Sequence, residues 1–152
     1  MVIKNPTDPI QVDALKVLIY GQPGVRKTSW SFTAQRPLLL DFDNGVKRVA
    51  PKFRGQYAPI KSWNEVLGIF EVDLSNFDTI VVDTVGKAID ALAVQIMKED
   101  FKMKRKDGSL SLQGFGALSN RFRDFLNRLT DLGKTVVMIA HDKEAKQGDD
   151  TI

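Results

Sequence analysis

The sequence predicts an α/β fold built on a mostly parallel sheet with helices on both faces. Two observations carry this. Four short apolar runs, "LKVLIY" (15–20), "PLLLDF" (37–42), "TIVVD" (79–83) and "TVVMIA" (135–140), barely alternate between apolar and polar residues. Runs of that kind suit strands buried on both faces of a sheet. Helical patterns lie between the runs, and strands that alternate with helices imply parallel crossovers.

The elements follow in order. After the first run comes a glycine-bearing turn and a short helix expected over Thr28 to Gln35. The second run precedes a weaker strand, "GQYAPI" (55–60), placed at a sheet edge because Pro59 cannot donate to a ladder. Ser62 and Glu65 are spaced as a capping box ahead of Val66, Leu67, Ile69 and Phe70. After the third run, Val85, Ile89, Leu92, Ile96 and Met97 recur at helical spacing over 85–97. A basic stretch, 98–116, reads as a helix end followed by a glycine-bearing loop. Leu118, Phe122, Phe125, Leu126, Leu129 and Leu132 then form a single apolar stripe over 117–132. That stripe reads as core, and Gly133 ends it as a C-cap glycine would.

Composition narrows the chemistry. A chain of 152 residues with 43% hydrophobic and 27% charged residues reads as one ordinary globular domain. It has no cysteine, so disulfides and thiolate metal sites are excluded. Its single histidine, His141, excludes a multi-histidine metal centre. "MVIKNPTDPI" has no apolar core of the signal-peptide kind, and no apolar run approaches the ~20 residues of a membrane span. A cytoplasmic location is expected. The net charge of +3 permits a nucleic-acid partner without arguing for one.

"GQPGVRKT" (21–28) is the chemical signal. It follows a strand and precedes a helix, the setting of a phosphate-binding loop of pattern G-x-x-x-x-G-K-[ST]. Gly21, Gln22, Pro23, Gly24, Val25, Arg26, Lys27, Thr28 and Ser29 would wrap the nucleotide phosphates. Lys27 would meet the β- and γ-phosphates, and Thr28 would ligate Mg²⁺. The bland reading is a glycine turn with an exposed lysine. Arg26 stands where the pattern has its second glycine. It is expected to crowd or distort the loop, so Arg26→Gly should strengthen ATP binding at least tenfold, about 1.4 kcal/mol; the alternative is a side chain that points outward and leaves the loop amides to the nucleotide.

Asp83 closes the third run at a strand's carboxyl end, where open α/β sheets bind ligands. A carboxylate there can hold Mg²⁺ opposite Thr28; alternatively it caps the helix that follows. Lys98, Lys102, Lys104, Arg105 and Lys106, with Phe101, suit either a single-stranded DNA groove or a solvated helix end.

Taken together, "YGQPGVRKTS", "LLLDFDNG", "SWNEVL", "TIVVDT", "LQGFGALSNRFRDFLNRL" and "GKTVVMIAH" resemble the RecA-like P-loop (AAA-type ATPase) proteins of bacteriophages, related to the phage single-strand annealing proteins built on a minimal RecA core. The resemblance runs from about Leu15 to the end of the chain. It implies ATP and Mg²⁺ as cofactors, single-stranded DNA as a partner in phage recombination or annealing, and admits a homo-oligomer. It also implies the strand order (56–60), (37–42), (79–83), (135–140), (15–20).

Matched to the family's motifs, Lys27, Thr28 and Asp83 take the phosphate-loop and metal positions. Asp43, with Asp41 as second choice, takes the catalytic carboxylate's place, although aspartate is one methylene shorter than the family's glutamate. His141 takes that of the γ-phosphate sensor, against the alternative of a histidine satisfied at a strand end. Lys102, Lys104, Arg105 and Lys106 are the implied DNA contacts. The family's core continues with further strands, so this chain, with residues 1–14 as an N-terminal extension, is expected to lack C-terminal strand(s). A non-catalytic P-loop module that binds protein or DNA is the alternative function.

Overall fold

Five parallel strands form one sheet in the computed structural model, which describes residues 3, 5–7 and 14–142. The strands are β1 (Lys16–Gly21), β2 (Pro37–Asp41), β3 (Gln56–Pro59), β4 (Thr79–Asp83) and β5 (Thr135–His141). Their order across the sheet is β1-β5-β4-β2-β3, as the resemblance implied. β5, the last strand among the described residues, therefore inserts between the strands that carry the phosphate-loop motif and Asp83. Most of the expected N-terminal extension, and the expected C-terminal shortfall, lie outside the described residues.

Every parallel pair needs a crossover, and the helices α1 (Lys27–Ser31), α2 (Trp63–Leu67), α3 (Val85–Glu99) and α4 (Leu112–Asp131) lie within these connections. The strand side chains sort by parity into two cores. Leu40, Ile80, Val82 and Val136 meet Trp63, Val66, Leu92, Phe125 and Leu129 on one face. Leu39, Val81, Val137 and Ile139 meet Val46 and Phe32 on the other. All five residues of β4 are buried, as a central strand covered on both faces requires.

β1 departs from the expectation of two buried faces. It lies at the sheet edge, and Lys16, Leu18 and Tyr20 are exposed. β3 takes the opposite edge, where Pro59 is tolerated. The helix expected over Thr28 to Gln35 stops at Ser31. Pro37 excludes the helical conformation for Arg36, which has φ 39°, and the chain closes in turns. α4 begins five residues earlier than the apolar stripe, inside the stretch expected to be a loop. Ser111 caps it by accepting from the Gly114 amide at 3.1 Å. Gly114 has a packing reason there: a Cβ would lie 2.8 Å from Leu110 Cδ2 and 3.0 Å from the Met103 carbonyl. Gly133, at φ 68°, follows α4 as expected. At α2, Ser62 accepts from the Glu65 amide at 3.3 Å, but the Glu65 carboxylate takes the Lys61 amide rather than that of Ser62.

Candidate functional site

The parallel sheet brings the carboxyl ends of β1, β5, β4 and β2 to one edge, and the predicted site residues gather there. Gly21 closes β1 and pairs with His141 of β5. Asp83 closes β4 and pairs with Ile139 of β5 and Asp41 of β2. A loop of five residues, Gln22 to Arg26, joins β1 to α1.

That loop holds a positive-φ turn at Gly24 (88°) and a second at Arg26 (φ 64°, ψ 28°), the residue before α1. Arg26 thus takes a positive φ that favours glycine, the backbone condition on which the expectation of a strained loop rests. Its side chain is exposed and makes no ion pair among the described residues. An arginine at the N-cap cannot accept a hydrogen bond, so no side chain caps α1. The first amides of the helix are left for an anion rather than claimed by the chain.

Lys27 is buried, and its Nζ donates to the carbonyls of Gly21 (2.7 Å) and Gln22 (2.8 Å). The ammonium is therefore braced inside the loop and not exposed, as the bland reading required. One residue along the same helix end, Thr28 Oγ1 donates to Asp83 Oδ2 at 2.6 Å. The N-cap of α3 is Thr84, whose hydroxyl accepts from the Lys87 amide. Asp83 is thus free of the capping role that competed for it. Burial pushes the Asp83 carboxyl above the usual carboxylate range. The Thr28 hydroxyl opposes that rise, while Asp43 and Asp41 add to it. A buried carboxylate with a raised pKa gains from any cation placed beside it.

The two aspartates after β2 divide their work. Asp41 is buried, with Oδ1 accepting from the Gly45 amide (2.9 Å) and Oδ2 from the Val46 amide (3.3 Å). Both its oxygens are spent on a 3-10 turn, Gly45–Arg48. Asp43 anchors Oδ1 on the same Gly45 amide at 2.9 Å and turns Oδ2 toward His141 Nε2 (3.6 Å) and Arg48 Nη2 (3.5 Å). Gly45 allows this approach, since a Cβ there would sit 2.8 Å from Asp43 Oδ1.

Gly24, Arg26, Lys27, Thr28, Ser29, Gly45, Arg48, Val49 and His141 line a cavity of about 230 Å³. The lining carries three cations and no carboxylate, which suits a polyanion. Among the described residues no group of three or more His, Asp or Glu side chains could hold a metal ion by itself. The Thr28 hydroxyl and Asp83 carboxylate nevertheless offer adjacent hard oxygen donors. They fit Mg²⁺, which takes one or two protein ligands and fills its shell with phosphate oxygens and water.

The predicted DNA contacts are not part of this cavity. Lys102, Lys104, Arg105 and Lys106 are exposed, and the turn that carries the last two is closed by the Arg105 backbone amide donating to the Ser109 carbonyl at 2.8 Å. Gly45, Arg48 and Val49 are the cavity residues that sequence reasoning missed; a 3-10 turn of four residues and the residue after it have neither motif nor periodicity to reveal them. No helix among the described residues is long and apolar enough to cross a membrane.

Comparison with known proteins agrees with this geometry. A family model described as an AAA domain matches residues 13–152. The SPbeta prophage-derived uncharacterized protein YorG of Bacillus subtilis (strain 168) is 31% identical over 160 aligned positions, covering 96% of this chain. The chain spans 47% of that relative's length. With the phosphate-loop strand order underneath it and a prophage relative beside it, the chain belongs to the AAA domain family of P-loop proteins.

Proposed function

We propose that the chain binds Mg²⁺-nucleoside triphosphate, ATP by preference of its family, through residues 21–29, and hydrolyses it in phage DNA recombination or strand annealing. The observation that carries this reading is the Thr28–Asp83 contact of 2.6 Å, made between the first turn of α1 and the carboxyl end of β4 and beside a buried, braced Lys27. A glycine turn without a ligand has no need of that contact or of a buried lysine.

The roles divide accordingly. The loop amides and Lys27 hold the phosphates. Thr28 and Asp83 hold Mg²⁺, which neutralises phosphate charge when bound. Asp43 orients and deprotonates the attacking water, and His141, 3.6 Å from it, contacts the γ-phosphate. The exposed cations of 102–106 track single-stranded DNA. The second reading, a non-catalytic P-loop scaffold, draws on Asp43: its shorter side chain already has one oxygen committed to the Gly45 amide.

Steady-state phosphate release with and without single-stranded DNA tests the choice. The proposal expects Mg²⁺-dependent turnover that DNA stimulates and Asp43→Asn abolishes. Nucleotide binding with no turnover under either condition establishes the scaffold reading instead.

A further inference from the structure

Arg48 ends the 3-10 turn Gly45–Arg48 and lines the phosphate cavity together with Lys27, yet the roles assigned above leave it unused. Its backbone is clamped. The two oxygens of Asp41 fix the Gly45 and Val46 amides at the head of the turn. The Arg54 guanidinium donates to the carbonyls on either side of Arg48, those of Lys47 at 3.3 Å and Val49 at 2.7 Å. Val46 and Val49, which flank the turn's last two residues, are buried.

The side chain, by contrast, is loosely held. It is 70% exposed, and its ion pair among the described residues is one contact of 3.5 Å, from Nη2 to Asp43 Oδ2. Gly45 leaves room for the guanidinium over the turn, since a Cβ there would lie 3.4 Å from Nη2. An arginine that serves structure in this chain is bound differently: Arg36 grips both oxygens of Asp78, with Nε at 2.6 Å from Oδ2. A single contact made by a largely exposed guanidinium is weak, because water screens both charges. A phosphate group offers the same guanidinium two parallel charge-assisted hydrogen bonds. The competition favours the phosphate.

We propose that Arg48 leaves Asp43 for the terminal phosphate when a nucleoside triphosphate binds, so that the chain supplies from its own site the arginine that neutralises the γ-phosphoryl group during hydrolysis. The inference rests on the nucleotide-binding reading above and adds a catalytic residue to it. The terminal phosphate is the target because Arg48 Nη2 and His141 Nε2 approach the same Asp43 oxygen, at 3.5 and 3.6 Å, and that oxygen faces the attacking water in the proposed reaction. The movement also frees Asp43 Oδ2 for that water. In the step itself the water oxygen bonds to the γ-phosphorus and its proton passes to Asp43. The bond from the γ-phosphorus to the bridging oxygen breaks, and its electron pair stays on the diphosphate. Arg48 offsets the charge that spreads over the γ-oxygens. A rigid backbone with a free guanidinium is what such a residue needs.

Turnover and calorimetric binding of Mg·ATP and Mg·ADP are compared in the wild type, Arg48→Ala and Arg48→Lys. Arg48→Ala should lower kcat about a thousandfold. It should weaken Mg·ATP about tenfold and leave Mg·ADP within about twofold, a discrimination that loss of a merely structural ion pair would not produce. Arg48→Lys keeps the charge without the fork and should recover the preference for ATP over ADP more fully than it recovers kcat. Arg48→Ala is also mixed with an excess of Lys27→Ala, which lacks the phosphate-binding lysine but keeps Arg48; turnover should not return.

Return of turnover in the mixture places the arginine in a neighbouring copy and overturns the assignment. An unchanged preference for ATP over ADP in Arg48→Ala overturns it as well and leaves the phosphate loop standing. Binding of Mg·ATP without turnover by the wild type establishes the scaffold reading and overturns the part of Arg48 in hydrolysis. Failure of the wild type to bind either nucleotide overturns the nucleotide function and the arginine's role together.

Discussion

Arg26 sits at φ 64°, ψ 28°, a left-handed conformation that costs a non-glycine residue about 1–2 kcal/mol. Glycine adopts it freely but loses about 0.4–1 kcal/mol more entropy on folding. The difference leaves Arg26→Gly stabilising by about 0.5–1 kcal/mol, or roughly 1–4 °C in Tm for a domain of this size. The strain is present in the free loop and would persist in the liganded one, so it cancels from the dissociation constant and shows only in folding. The exposed guanidinium meanwhile supplies a cation beside the phosphates, worth up to about 1 kcal/mol. Arg26→Gly should therefore raise Tm and leave Mg·ATP affinity equal or up to about fivefold weaker. This replaces the tenfold gain that the sequence alone suggested. Thermal unfolding and calorimetry on the pair of proteins check it. A lower Tm in the glycine variant, or a tenfold tighter Kd, would refute the reasoning.

Three further predictions concern charge, packing and DNA. Burial raises the Asp83 carboxyl, so its folded form favours the proton, and stability is fullest below the unfolded pKa of about 4 and falls as pH rises through the higher folded value. Asp83→Asn should flatten that slope and raise ligand-free stability at neutral pH by about 0.5–2 kcal/mol, while Mg·ATP binding is lost; melting curves at acid and neutral pH beside a titration separate the effects. Phe125, 1% exposed, packs edge-on against Trp63 (5.0 Å) and Phe70 (5.9 Å), so Phe125→Ala should cost about 3–5 kcal/mol. Phe115→Ala, at an exposed position of α4, should stay within about 0.5 kcal/mol in the same denaturant series. Replacing Lys102, Lys104, Arg105 and Lys106 with serine should weaken single-stranded DNA binding and reduce the log–log salt slope by about 0.7 per lost contact; an unchanged slope assigns these residues to a solvated surface.

The sequence was most legible where burial dictates residue type. The apolar runs at 37–42, 79–83 and 135–140 became strands within a residue of their expected limits, and Gly133 ended α4. Lys27, Thr28 and Asp83 were legible because a motif and a strand end prescribe them. The order of the strands came from resemblance, since runs buried on both faces carry no signal of which neighbour they pair with. What stayed hidden has a local cause in each case. The turns at Gly45–Arg48 and Pro51–Phe53 are too short to show a period, so Arg48 and Phe53 could not be placed. Gly114 and Gly116 disguised the first turn of α4 as a loop.

The claim on which the rest depends is that residues 21–29 bind nucleotide through a lysine already in place. Calorimetric titration of Mg·ATP into the wild type and Lys27→Ala tests it. The account predicts saturable binding by the wild type, dependent on Mg²⁺, and a loss of at least tenfold, about 1.4 kcal/mol, in the variant. Equal binding by both proteins, or none by the wild type at millimolar ATP, would contradict it.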